Sequence, residues 1–168
     1  MKKAFLIIWF FASSLAFGTT SGINFVYQPL TTMGTDEDPA IIVAKIPVIA
    51  VGEPENLIEY ISMPLKLQQH PWGHVDDSNL LSSLKIKVSG EVVSERESAV
   101  TLDLSAMEPR DSEEVTDDAV VKAAIDCIRR TIDEIGGKKT WKIHILCREQ
   151  DRANWSKYET AYRPKARK

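Results

Sequence analysis

The chain has 168 residues, 43% of them hydrophobic, with 24 acidic and 21 basic side chains and a formal net charge of -3. From Arg152 onward six basic residues face one acid, and with Lys2 and Lys3 set aside the stretch between carries -10. An acidic body of this kind argues against nucleic acid as the main partner.

Met1-Lys2-Lys3, the apolar run Ala4 to Ala12 and the small residues of "SSLAFG" have the three-part layout of a secretory signal peptide. Cleavage is expected after Ala16 or Gly18, so 1–18 reads as a leader of bacterial style. Its apolar run is shorter than the roughly 20 residues a spanning helix needs, and no later stretch is apolar enough to serve as a transmembrane anchor. The mature product is therefore expected in the periplasm or outside the cell. About 150 residues follow, enough for one domain with a real core.

After a polar lead-in, Ile23, Phe25 and Tyr27 alternate as a short strand that Pro29 should stop. Ala40 to Val51 is apolar and β-branched on both faces, which predicts a central strand with a bulge or sheet edge at Pro47. "GEPENLIEYI" opens a short helix with Pro54 at its first position. Ile61, Met63, Leu65 and Leu67 alternate with polar residues and Pro64, a half-buried edge strand. Leu84 to Val93, the turn "SERES" and Val100 to Leu104 form an antiparallel hairpin.

The clearest helix follows. Ser112 or Thr116 caps it, and acids crowd its first turn. Val120, Val121, Ala124, Ile125, Cys127, Ile128, Ile132 and Ile135 share one face. Lys122, Asp126, Arg129, Arg130 and Asp133 take the other, and Gly136-Gly137 ends the helix. Trp141, Ile143, Ile145 and Cys147 then line one face of a last strand. About five strands and one long amphipathic helix predict an α+β fold, with the helix packed on one face of a mainly antiparallel sheet. Residues 19–151 make the domain and 152–168 a basic, aromatic tail.

Three features bear on chemistry. "QQHPWGHVDD" places His70 and His74 four apart with Asp76 close behind, a set that can hold a zinc-like ion with an open position. Pro71 and Gly73 deny it a helix, where that spacing would put both imidazoles on one face, and favour a turn, so the plainer reading is a solvated loop. Cys127 and Cys147 are the only cysteines, and an exported compartment favours a disulfide between them. Length opposes it: Cys127 stands about 13 Å up the helix from Gly136, whereas Cys147 stands about 23 Å along its strand from Thr140. The "GGKK" link can offset that mismatch, and a bond is the expectation. Trp155, Tyr158 and Tyr162 would make one stripe on a helix, serving either as a partner surface or as a docking face against the chain's own core.

The sequence contains neither a Gly-x-Ser-x-Gly elbow nor a glycine-rich phosphate loop, and it implies no cofactor. The expectation is an exported, non-catalytic binding protein, of inhibitor or immunity type or an envelope assembly factor. Its partner would be another protein or an envelope component. The alternative is a small metal-dependent hydrolase built on His70, His74 and Asp76.

Overall fold

A computed structural model describes residues 23–31, 41–49, 52–68, 75–77, 79–108 and 115–165. In chain order the elements are β1 (Ile23–Thr31), β2 (Ile41–Ile49), α1 (Asn56–Glu59), β3 (Lys66–Gln68), β4 (Val75–Asp77), α2 (Leu80–Ser83), β5 (Lys87–Ser94), β6 (Glu97–Asp103), α3 (Asp117–Ile135), β7 (Thr140–Leu146), α4 (Arg152–Trp155) and β8 (Thr160–Tyr162). The class is α+β. The strands divide into a four-stranded sheet ordered β5-β6-β7-β8 and two-stranded pairs β1-β2 and β3-β4.

The four-stranded sheet is mixed. β5 and β6 are the expected hairpin, and β8 runs antiparallel to β7, but β6 and β7 are parallel. Parallel neighbours need a long crossover, and α3 supplies it. The other pairings are antiparallel, so the arrangement is mainly antiparallel as expected, and the one parallel pair left no mark on hydrophobic alternation.

α3 forms as its pattern dictates. Thr116 Oγ1 accepts the Ala119 N–H at 3.2 Å, and Asp117 and Asp118 occupy the first turn. Val120, Val121, Ala124, Ile125, Cys127, Ile128 and Ile132 are buried, in one core with Val100 and Leu102 of β6 and Trp141, Ile143 and Ile145 of β7. The helix stops at Gly136, whose φ of 70° is natural only for glycine. On the sheet's far face Lys142, His144 and Leu146 of β7 stay exposed.

β1 and β2 depart from expectation. β1 continues through Pro29 to Thr31, and among the described residues β2 pairs with β1 alone instead of lying mid-sheet. The register explains why both prolines are accepted: Phe25 faces Pro47, Tyr27 faces Lys45 and Pro29 faces Val43. The Tyr27 N–H points away from β2 and donates to Thr131 Oγ1 of α3 at 3.0 Å. Alternate residues share that orientation, so Pro29 and Pro47 stand where the ladder requires no N–H. β1 packs along α3, adding Val26 and Leu30 to the core.

Around α1 and α2, beside the short β3-β4 pair, side chains supply the fastening. Pro54 lies ahead of α1, not inside it, and a 3-10 turn, Tyr60–Ser62, continues the helix. The stretch from Ile61 to Leu65 is therefore no strand. The buried Asn79 side chain donates to the Ile61 and Met63 carbonyls at 2.9 and 2.8 Å while capping α2 through the Leu81 N–H. Gln28 Nε2 donates to the Tyr60 carbonyl at 2.6 Å. Lys85, with φ of 60°, closes α2: its N–H reaches the Ser82 carbonyl and that of Ile86 the Leu81 carbonyl. This is the paired bonding of a Schellman end, with lysine where glycine is usual.

Candidate functional site

Asp126, Arg129, Arg130, Asp133 and Glu134 recur at helical spacing and form the outer strip of α3. Tyr27 of β1 rises on one side of the strip and Tyr162 of β8 on the other, and Lys165 completes a groove of about 640 Å³. Its side chains hold one another. Tyr27 Oη donates to Glu134 Oε1 at 3.1 Å, and Lys45 Nζ reaches the same oxygen at 2.6 Å. Tyr162 Oη donates to Asp133 at 2.9 and 3.0 Å, and the Lys165 N–H adds a bond at 2.8 Å. Arg130 Nε pairs with Asp126 at 2.8 Å.

Each tyrosine ring carries a guanidinium on its face, Arg130 over Tyr27 and Arg129 over Tyr162, both at 5.7 Å. Burial, then the bond to Glu134 or Asp133, pushes both phenols above their ordinary range, so each stays protonated and donates. The groove is a fixed polar cleft with two aromatic walls.

A second cluster lies inside the molecule. Glu55, 2% exposed, accepts from Ser98 Oγ at 2.5 Å and Lys139 Nζ at 2.7 Å. Burial pushes its carboxyl upward, but the bonds from Lys139 and Ser98 together hold it below the usual range. A serine beside a lysine and a carboxylate has the residue types of nucleophilic catalysis, yet Ser98 is wholly buried and a nucleophile must meet its substrate. What the cluster does is fasten α1 to the starts of β6 and β7. Local sequence carried no sign of it, because Glu55 stands 43 and 84 residues from its partners.

No protein-family model, curated protein or solved structure matches this chain.

His70 and His74 lie outside the described residues. The backbone of Asp76 belongs to β4, opposite Leu67. Among the described residues no three histidine, cysteine, aspartate or glutamate side chains gather to hold a metal, and no helix is long and apolar enough to cross a membrane.

The expected disulfide requires correction: Cys127 and Cys147 are both free. β7 begins directly at Thr140, paired with Glu97, so the glycine link introduces no offset and the length mismatch stands. Burial pushes the Cys127 thiol far up, whereas Cys147 is half-buried just past β7.

The tail aromatics do not share one helix. Trp155 ends α4, Tyr158 closes a 3-10 turn and Tyr162 lies in β8. Trp155 is buried in the core and stacks on Tyr158 with ring centroids 6.3 Å apart, while the Tyr158 hydroxyl donates to Asp118 of α3. Arg152 Nη1 donates to the Ile145 carbonyl at 3.0 Å and Glu159 Oε1 accepts the Ile145 N–H at 3.1 Å. These side chains, themselves paired at 3.1 Å, prolong the edge cover that β8 begins. The groove was half visible in the sequence: its charged strip stood out on the helix, but neither tyrosine could be placed beside it.

Proposed function

We propose that this chain is an exported, non-catalytic binding protein whose contact surface is the groove between Tyr27 and Tyr162. One observation carries the reading: two tyrosines anchored to carboxylates, each with an arginine over its ring, flank an open cleft. Tyrosine and arginine are the side chains that concentrate binding energy at interface centres. Anchoring them beforehand removes ordering costs of about 0.5–1.5 kcal/mol per side chain on association. The basic, apolar and small-residue layout of 1–18 supports export. The partner is another protein or an envelope component, bound as an inhibitor or immunity-type protein binds, or as an assembly factor does.

Affinity capture from the exported fraction tests this, using the folded protein beside Arg130→Ala and Tyr27→Phe. The native chain is expected to retain a stoichiometric partner that both variants lose. Exposed ion pairs such as Arg130–Asp126 contribute only about 0.3–0.5 kcal/mol, so Arg130→Ala should melt almost as the native protein does. A partner retained equally by the combined variant would show that contact lies elsewhere.

A further inference from the structure

The groove's charges are unevenly matched. Its three carboxylates are all engaged: Asp126 by Arg130, Glu134 by Lys45 and Tyr27, and Asp133 by the Tyr162 hydroxyl and the Lys165 N–H. Asp133 lies four residues after Arg129, where a helical ion pair is ordinarily made. Its oxygens are turned to Tyr162 and Lys165 instead. Among the described residues Arg129 has a single recorded contact, the Tyr162 ring, and the Lys165 ammonium has no carboxylate partner.

An arginine fork laid on a tyrosine face, with its N–H groups unspent, is prepared for a planar anion bonded through two parallel N–H groups. With Lys45 counted, four cations face three carboxylates, an excess of one positive charge. A single carboxylate neutralises that excess, whereas a doubly charged phosphate overshoots it beside three acids. We infer that Arg129, on the Tyr162 ring and with Lys165 beside it, is an anion subsite that takes a side-chain carboxylate from an acidic segment of a protein partner. The inference rests on the groove being the contact surface.

Titration of the full chain with hexaglutamate at constant ionic strength, followed by the Nε–Hε resonance of Arg129, tests the subsite directly. Saturable shifts at Arg129 are expected, with affinity falling at least tenfold in Arg129→Gln and unchanged circular dichroism and melting. Inorganic phosphate should bind more weakly. No shift, equal binding by Arg129→Gln, or phosphate binding as tight as hexaglutamate would each overturn the subsite. Partner capture separates the two levels. A partner lost by Arg130→Ala but kept by Arg129→Gln removes the subsite and leaves the groove in place. Hexaglutamate binding at Arg129 with no partner captured keeps the subsite and removes the wider reading.

Discussion

Cys127 and Asp118 lie nine residues apart on α3 and show opposite effects of their surroundings. Cys127 is enclosed by core side chains, and desolvation suppresses the thiolate that reacts with electrophiles. A maleimide should therefore label one thiol per native chain, at Cys147, and both once the chain is denatured without reductant. No thiol after denaturation would restore the disulfide. Asp118 is a half-buried carboxylate drawn down to about 2 by Lys122, then by the Tyr158 hydroxyl and Lys157. Its ordinary value is 3.8, so an unfolded chain takes up this proton before the folded one does. The stability it contributes is complete above about pH 4 and is lost as the pH falls toward 2. Melting of Asp118→Asn should accordingly trail the native protein at pH 6, with the gap closing across that interval. A gap independent of pH would mean that the aspartate charge contributes nothing.

Among the elements, α3 was legible because its information is local: cap, acidic first turn, period and glycine stop all lie within the segment. The β5–β6 hairpin was legible for the same reason. The short helix at α1 was legible too, but the 3-10 turn and α2 were not, since Asn79 and Gln28 fasten that stretch and each reaches partners remote in sequence. Gly90 is the contact on which that region depends. A Cβ there would lie 2.5 Å from the Glu55 carbonyl oxygen and 3.1 Å from Ile58 Cβ, so α1 would have to move off the sheet. Overpacking of this sort costs about 1–3 kcal/mol. Gly90→Ala should lower the urea midpoint by the corresponding amount, and the strain would be felt at the Ser98–Glu55–Lys139 cluster. An unchanged midpoint would mean that α1 does not approach β5 this closely.

For the molecule as a whole, the tail occupies one margin of the four-stranded sheet and α3 lies along β1, and among the described residues no strand pairs with the outer side of β2. Ile42 and Ile49 are exposed along it, 46% and 57%. Unpaired strands with apolar side chains invite another copy to add a strand, and repeated addition makes fibres. The register puts Val43, Lys45 and Pro47 in the row whose backbone faces outward. A neighbour arriving there meets, at Pro47, a missing donor. The proline that the ladder with β1 tolerates is thus expected to block polymerisation. Pro47→Val should fold with its pairing to β1 intact, yet scatter light increasingly with concentration during storage while the native protein stays clear. If both remain clear at the same concentration, protection comes from elsewhere on the surface.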